Sequence, residues 1–115
     1  MTLKGKYFMK KKIIEKVSVV FSFRNEEENL KELITRVHNV LKKFNYELIF
    51  VNDDSSDKSE DILKKLIKKY PIKIINMSRR FGVAHCIFAG LKYSKGNIVI
   101  YMDSDLQDPP ELILN

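Results

Sequence analysis

The chain has 115 residues, of which 44% are hydrophobic and 31% are charged, and its formal net charge is +6. This length allows one domain with a buried core, and the composition excludes a largely disordered chain. Six lysines and one glutamate within residues 1–16 supply most of the net charge. The remainder is nearly neutral and has no basic, aromatic-rich face, so we expect no nucleic acid partner.

Residues 1–16 form a basic leader ahead of one domain predicted over residues 17–115. Two interpretations of the leader stay open, because a run of lysines is either a solvated tail or a segment attracted to anionic lipid. The apolar run at 17–23 is too short to span a membrane, and the residues after it do not resemble a signal-peptide cleavage site. We therefore predict a cytoplasmic protein, and attraction of the leader to anionic lipid would place it at the cytoplasmic face of a membrane.

Strand-like and helix-like periods alternate after the leader, which predicts βαβ units. The predicted strands cover residues 17–23, 46–51, 72–77 and 97–102. The predicted helices run from an Asn25 cap to about Phe44, from near Asp57 to a stop at Pro71, and from Gly82 to about Ser94, with a further helix capped by Asp108. Helical spacing predicts one buried stripe in each of the first two helices, formed by Leu30, Leu33, Ile34, Val37, Val40, Leu41 and Phe44 in the first and by Ile62, Leu63, Leu66, Ile67 and Tyr70 in the second. The fourth strand is so apolar that we expect burial on both faces. The fold class is α/β, with three layers and a mostly parallel sheet.

Polar clusters follow every predicted strand, and right-handed crossovers bring those strand ends to one edge of the sheet. The clusters are Arg24-Asn25-Glu26, Asn52-Asp53-Asp54-Ser55, Ser78-Arg79-Arg80-Phe81-Gly82 and Asp103-Ser104-Asp105-Leu106-Gln107-Asp108. The opposite connections carry no comparable cluster. Because open α/β sheets bind ligands beyond the carboxyl ends of their strands, this asymmetry predicts a binding edge.

Asp103 and Asp105 can approach one ligand where the chain turns after the fourth strand. Carboxylate oxygens suit Mg2+ or Mn2+, which commonly complete their coordination with water and phosphate oxygens. The same motif is also common in ordinary loops, so both interpretations stay open on these residues alone. Likewise, Asp53 is either a turn residue or an acceptor for a ribose or base, and Arg79 is either solvated or available to bind phosphate.

Other kinds of site find little support in the sequence. His85 and Cys86 lie at helical spacing among apolar residues, so we expect them in the core or at its boundary. A single cysteine excludes an internal disulfide. The phosphate-binding motif of P-loop proteins, the dinucleotide fingerprint and the nucleophile elbow are all missing from the sequence.

A series of motifs in a fixed order carries a family resemblance. The matching segments are Val17-Ser18-Val19-Val20, Asn25-Glu26-Glu27-Glu28-Asn29-Leu30, Glu47-Leu48-Ile49-Phe50-Val51-Asn52-Asp53 with Ser55 and Asp57, Ser78-Arg79-Arg80-Phe81-Gly82, Ala89-Gly90-Leu91, and Asp103-Ser104-Asp105-Leu106-Gln107-Asp108-Pro109-Pro110-Glu111. In this order and spacing the chain resembles the amino-terminal half of a family 2 glycosyltransferase, of the group that transfers sugars to dolichyl or other polyprenyl phosphates.

The resemblance implies a GT-A fold, a UDP- or GDP-linked sugar donor, Mg2+ or Mn2+ as cofactor, and a polyprenyl-phosphate or cell-envelope glycan acceptor. The resemblance implies that Asn25, Glu26, Asp53, Asp103 and Gln107 bind the substrate. Arg79 joins them as a predicted substrate-binding residue, because its guanidinium is available to bind phosphate. The implied metal ligands are Asp103, Asp105 and Gln107. Asp105 has the catalytic role, because its metal would offset charge on the departing diphosphate.

The chain departs from the family pattern at a few positions. Ser22 and Arg24 stand where Pro and Tyr are usual, and Asp54 replaces a Gly, although Asp tolerates positive φ better than most residues. The family continues past the Asp103 segment, so we expect a truncated product or an excised domain that is inactive alone. The alternative function is a non-catalytic nucleotide-binding or interaction module.

Overall fold

The computed structural model describes residues 16–114, in which strands and helices alternate. The strands are Val17–Phe23 (β1), Tyr46–Asn52 (β2), Ile72–Asn76 (β3) and Ile98–Asp103 (β4). The helices are Leu30–Leu41 (α1), Ser59–Leu66 (α2) and Val83–Tyr93 (α3), and a 3-10 helix at Pro110–Leu114 follows β4. The predicted basic leader lies outside the described residues except for Lys16.

The four strands form one parallel sheet in the order β3-β2-β1-β4. The chain therefore winds from β1 to one side of the sheet and then returns to place β4 on the other side. Strand order reverses between β1 and β4, and such a switch point leaves a crevice for ligands at the carboxyl ends of the strands. We call the edge formed by Phe23, Asn52, Asn76 and Asp103 the carboxyl edge, and the opposite edge, formed by Val17, Tyr46, Ile72 and Ile98, the amino edge.

Helices cover both faces of the sheet, which confirms the predicted three layers. Val19 and Phe21 of β1 face the layer of α1, α2 and the 3-10 helix, whereas Val20 faces α3. This alternation follows from the two-residue period of a strand. Five of the seven residues of the predicted α1 stripe are buried, and Val40 and Phe44 are partly buried against them; the buried five are Leu30, Leu33, Ile34, Val37 and Leu41.

Gly90 allows α3 to lie close to the sheet, because a Cβ atom there would overlap the side chain of Val20. Cys86 and Gly90 are the buried residues of α3. The outward side is apolar as well, with Phe88 71% exposed. His85 is also exposed, so the prediction of a core or boundary position is confirmed for Cys86 and wrong for His85. No helix among residues 16–114 has the length and apolar character needed to cross a membrane.

Two predicted helix boundaries were wrong. α1 begins at Leu30 instead of Asn25, because Asn25 adopts a φ of 58° and its side chain bonds to the loop after β2. α2 ends at Leu66, since the amides of Lys69 and Tyr70 both donate to the Leu66 carbonyl and form a turn ahead of Pro71. Ile67, predicted on the buried stripe, is therefore 43% exposed.

The predicted burial of the fourth strand was also wrong. β4 lies at the edge of the sheet, and Ile98 and Val99 are each 37% exposed. Within residues 16–114, β1 is the strand that pairs with β4, so its outer side stays uncovered. The next helix begins at Pro110 as a 3-10 helix, two residues past the predicted Asp108 cap.

Glu47 is a buried carboxylate at the amino edge. Its Oε2 accepts hydrogen bonds from the Ser18 hydroxyl and the Lys95 amide, both at 2.6 Å. Its Oε1 accepts no well-aligned hydrogen bond but lies 2.8 Å from Lys73 Nζ and 3.6 Å from Lys16 Nζ. One side chain thus ties together β1, β2, β3 and the connection between α3 and β4.

Candidate functional site

The loops after β1 and β2 are joined at the carboxyl edge. The Asn25 side-chain oxygen accepts the amides of Ser56 at 2.8 Å and Asp57 at 3.2 Å, while the Asn25 amide donates to Ser55 Oγ at 3.0 Å. The Glu26 amide donates to Ser59 Oγ at 2.9 Å. Asn25 therefore stabilises the conformation of the loop after β2. Its predicted contact with a nucleoside stays a prediction.

Glu26 lies at the entrance to α1, where its carboxylate accepts the Asn29 side-chain amide at 2.8 Å. A cavity of about 310 Å³ opens here, and its lining residues are Asn25, Glu26, Glu27, Glu28, Asn29 and Asp57. The lining carries four carboxylates and no basic side chain, so it repels a diphosphate. The cavity also includes neither Asp103 nor Asp105, and we do not assign the site to it.

Asp53 is buried at the end of β2, where only 6% of the residue is exposed. Its Oδ1 accepts the Phe81 amide at 2.7 Å and its Oδ2 accepts the Gly82 amide at 3.0 Å. Gly82 can present its amide here because it adopts a φ of 96°, which favours glycine. Asp53 thus anchors the loop that begins α3, and its predicted contact with a nucleoside stays a prediction.

Burial under this anchor changes the chemistry of Cys86. Desolvation, with the Asp53 charge beside it, raises the pKa of the Cys86 thiol to about 11. The thiol is therefore protonated at neutral pH and is a poor nucleophile. Cys86 belongs to the core beneath the carboxyl edge.

Arg79 lies on the loop that Asp53 anchors. Its guanidinium is stacked over the Phe81 ring, 4.3 Å from the ring centroid, and the residue is exposed. A cation held on an aromatic face keeps its donors directed outward. Among residues 16–114 it has no carboxylate partner, so it is available to an anion at the carboxyl edge.

Asp103 ends β4 and is held by Tyr101, which was not among the predicted site residues. The Tyr101 hydroxyl donates to Asp103 Oδ1 at 3.0 Å and lies 3.0 Å from Ser22 Oγ. Ser104 is buried, and its hydroxyl donates to the Ser22 carbonyl at 3.0 Å. Burial, followed by the Asp103 carboxylate, raises the pKa of the Tyr101 phenol. The two-residue spacing of Tyr101 and Asp103 in a strand was the available signal.

Asp105 and Gln107 lie on a tight turn after β4. The Gln107 amide donates to Asp105 Oδ1 at 3.1 Å, and Leu106 between them adopts a φ of 65°. Asp103, Asp105 and Gln107 are all exposed. Each carboxylate keeps one oxygen with no protein partner among the described residues, so both could still bind a ligand.

The structure brings some of the predicted residues together and separates others. Asp103, Asp105 and Gln107 share one loop, whereas Asp53 is committed to the start of α3 and Asn25 to the loop after β2. Within residues 16–114, no group of three His, Cys, Asp or Glu side chains is arranged to hold a metal ion. A metal at Asp103, Asp105 and Gln107 therefore stays a prediction. Its coordination would need the side-chain amide oxygen of Gln107 and oxygens of the substrate besides the two carboxylates.

Comparison with known proteins identifies the family. Residues 18–115 match the sequence profile of "Glycosyl transferase family 2". The chain belongs to this family. Among curated relatives of the chain, a dolichol-phosphate mannosyltransferase of Pyrococcus furiosus is 42% identical over 98 residues, covering 85% of the chain and 28% of the relative. An undecaprenyl-phosphate 4-deoxy-4-formamido-L-arabinose transferase of Edwardsiella ictaluri is 37% identical, covering 89% of the chain and 33% of the relative.

Solved structures confirm that the described part of this chain has the GT-A fold. S. aureus TarS 1-349 in complex with UDP-GlcNAc matches with a TM-score of 0.72 and 26% identity, over 78% of this chain and 26% of that one. A mannosyltransferase of Pyrobaculum calidifontis in complex with GDP-Man and Mn2+ matches with a TM-score of 0.70 and 21% identity, over 81% and 32%. The chain spans about three tenths of the length of its curated relatives.

Proposed function

We propose that this chain is the nucleotide-binding part of a metal-dependent glycosyltransferase. The donor is a UDP- or GDP-linked sugar, and the acceptor is a polyprenyl phosphate or a related cell-envelope glycan. The observation that carries the proposal is the switch point between β1 and β4, where strand order reverses and the exposed Asp103 and Asp105 follow one another at the carboxyl edge. The lipid phosphates named for the relatives support the acceptor class. The reaction would take place in the cytoplasm, at the cytoplasmic face of a membrane.

The donor atoms on the Asp103 loop fit Mg2+ or Mn2+. Two exposed carboxylates and the Gln107 amide oxygen are hard ligands, and these cations readily take the rest of their coordination from water and phosphate. Asp103, Asp105 and Gln107 would hold the metal, with Asp105 as the catalytic ligand. When bound, the metal would offset the charge that develops on the departing nucleoside diphosphate.

Side chains around the carboxyl edge would bind the rest of the donor. Arg79 is oriented outward by Phe81 and would contact the diphosphate, since guanidinium groups bind phosphate oxygens bidentately. Asp53 contributes at least indirectly, because it anchors the loop that carries Arg79. Asn25 and Glu26 would lie beside the nucleoside, on the loop after β1 that Asn25 joins to the loop after β2.

The acceptor chemistry needs little from a general base. The phosphate oxygen of a polyprenyl phosphate is already anionic at neutral pH, so it can bond to the anomeric carbon while the bond from that carbon to the diphosphate oxygen breaks. Orientation of the two substrates then matters more than proton removal. Substitution of the side chains that bind the donor should therefore reduce sugar transfer the most.

Titration calorimetry with UDP and GDP, each with and without Mn2+, tests the proposal on the 115-residue chain. We expect one nucleotide to bind at least about 10-fold more tightly with Mn2+, a difference of about 1.4 kcal/mol. Asp105→Asn should remove this metal-dependent gain, because an amide oxygen carries no charge. Asp108→Asn is the matched control, since Asp108 is an exposed acid of the same loop outside the proposed ligand set.

Three results distinguish the alternatives. Metal-dependent binding that is lost in Asp105→Asn and kept in Asp108→Asn supports the transferase assignment. Binding that ignores Mn2+ and survives Asp105→Asn supports a non-catalytic nucleotide-binding module instead. A chain that binds neither nucleotide under any condition contradicts the proposal.

A further inference from the structure

The strand β4 brings a phenol to the carboxylate that ends it. Tyr101 and Asp103 are two residues apart and therefore lie on the same face of an extended strand. The Tyr101 hydroxyl is 3.0 Å from Asp103 Oδ1. A charge-assisted hydrogen bond of this kind is stronger than a neutral one and restricts rotation of the carboxylate.

The hydrogen bonds around Tyr101 have a defined direction. An ionised Asp103 carboxylate can only accept, so the phenol must donate its proton to it. Ser22 Oγ lies 3.0 Å from the same phenol oxygen and must then be the donor of that second bond. The result is a chain of donors from Ser22 to Tyr101 to Asp103, which crosses from β1 to β4.

Packing holds both members of this chain in place. The Tyr101 ring contacts the buried cluster of Val20, Ile49, Val51 and Cys86 on the α3 side of the sheet. Ser22 is 9% exposed, and its carbonyl also accepts the buried hydroxyl of Ser104. Ser22 therefore contacts one residue before Asp103, Tyr101, and one residue after it, Ser104. The exposed carboxylate of Asp103 is supported by a rigid pair beneath it.

We propose that Tyr101 and Ser22 are positioning residues that hold Asp103 in one orientation for the metal-bound diphosphate donor. The inference rests on the proposed function for what Asp103 binds. It adds residues that would touch neither the donor nor the metal and would act through Asp103. A positioned ligand binds without losing side-chain freedom, so removal of the phenol hydroxyl should weaken binding while leaving the fold intact.

The first test is independent of any ligand and uses NMR couplings that report the side-chain rotamer of Asp103. We expect a single rotamer in the 115-residue wild type and rotamer averaging in Tyr101→Phe and in Ser22→Ala. Tyr93→Phe is the matched control, because it removes a phenol hydroxyl from an exposed position on α3. An Asp103 side chain that is averaged in the wild type, or remains fixed in Tyr101→Phe, overturns the inference.

The second test measures UDP and GDP affinity in the presence of Mn2+, with urea unfolding as the check on folding. Tyr101→Phe should weaken binding about 5-fold, in keeping with the loss of a hydrogen bond to a charged group that acts only indirectly. In an Asp103→Ala background the same change should cost no further affinity. An equal loss in both backgrounds overturns the inference, because the phenol would then act without Asp103.

The two tests also separate this inference from the proposed function. If the wild type binds neither nucleotide, the proposed function fails, and the NMR couplings alone decide whether Tyr101 and Ser22 orient Asp103. If the wild type binds with Mn2+ but Tyr101→Phe binds equally well, the inference fails and the proposed function stands.

Discussion

The two edges of the sheet use carboxylates in opposite ways. At the amino edge, Glu47 is 3% exposed and meets the Ser18 hydroxyl, the Lys95 amide and the ammonium groups of Lys73 and Lys16. At the carboxyl edge, Asp103 and Asp105 are exposed, and each accepts one hydrogen bond from the protein. A buried carboxylate whose two oxygens both face protein donors or ammonium groups stabilises the fold, whereas an exposed carboxylate with one oxygen lacking a protein partner remains free for a ligand.

This difference teaches that the number of partners, and not the presence of an acid, separates a structural carboxylate from a binding one. Asp53 illustrates the distinction at the carboxyl edge itself, because both of its oxygens are bonded to backbone amides. Burial of a charge without partners is costly, so a buried acid must collect them from several elements. Exposed acids have no such requirement.

The largest expected effect is on Glu47. Glu47→Gln should lower the free energy of unfolding by about 3 kcal/mol, since it breaks a buried ion pair and leaves the amide facing two lysines. Urea unfolding measures the change. Asp105→Asn is the matched control at the other edge and should shift the free energy of unfolding by no more than about 0.5 kcal/mol. Equal effects of the two changes would contradict the distinction between the edges.

Acid should weaken the amino edge in a defined pH range. Burial alone would raise the pKa of the Glu47 carboxyl, but the contacts with Lys73, Ser18, the Lys95 amide and Lys16 outweigh it and lower the pKa from 4.5 to about 2. A group with a depressed folded-state pKa stabilises the protein above its unfolded pKa and loses that contribution as the pH falls through the folded one.

Glu47 should therefore contribute about 3 kcal/mol above pH 4.5 and progressively less down to about pH 2. Urea unfolding at a series of pH values checks this. The wild type should lose about that much more stability over this range than Glu47→Gln, because the other carboxyl groups titrate in both proteins. Parallel pH profiles of the two proteins would contradict the assignment.

The smallest of these effects compares one glycine at each edge. A Cβ atom at Gly96 would lie 2.7 Å from the Ser18 amide nitrogen and 2.8 Å from the Lys16 carbonyl oxygen. Gly96→Ala should therefore cost about 2 kcal/mol of unfolding free energy, because backbone atoms beside Glu47 must move.

Gly82→Ala is the counterpart at the carboxyl edge. A Cβ atom there would meet nothing within 4 Å, so the cost comes only from the backbone angles, a φ of 96° and a ψ of 167° that are essentially confined to glycine, and should be about 1 kcal/mol. Thermal and urea unfolding measure both variants. A loss well below about 1 kcal/mol in Gly96→Ala would show that the backbone beside Glu47 shifts easily and that the amino edge is not tightly packed there.

Much of the fold could be predicted from local patterns. Five of the seven predicted stripe residues of α1 are buried and the other two are partly buried against them, because a helix repeats its buried positions every three or four residues. The exposed Asp54 was also consistent with its sequence context, since it adopts a φ of 64° where the family has Gly. β4 was mispredicted because apolar character reports the tendency of a strand to be buried, and not which strand lies at the edge.

The site could be predicted only in part. The gathering of Asp53, Arg79, Asp103 and Asp105 near one edge follows from strand ends and crossovers. The engagement of Asp53 could not be predicted, because its partners lie 28 and 29 residues away. Tyr101 was visible only as an apolar strand residue, although its spacing from Asp103 placed both on one face.

The sequence by itself determined the α/β layout and the family, because periodicity and motif order are properties of consecutive residues. Tertiary structure alone decided which carboxylates are committed and which are exposed. Glu47 shows why: its partner amide in Lys95 is 48 residues away, and the parallel register of β1, β2 and β3 is what brings its remaining partners within reach. Hydrogen bonding and desolvation act over a few ångströms in space, and the separation of two residues along the chain does not show whether they are that close.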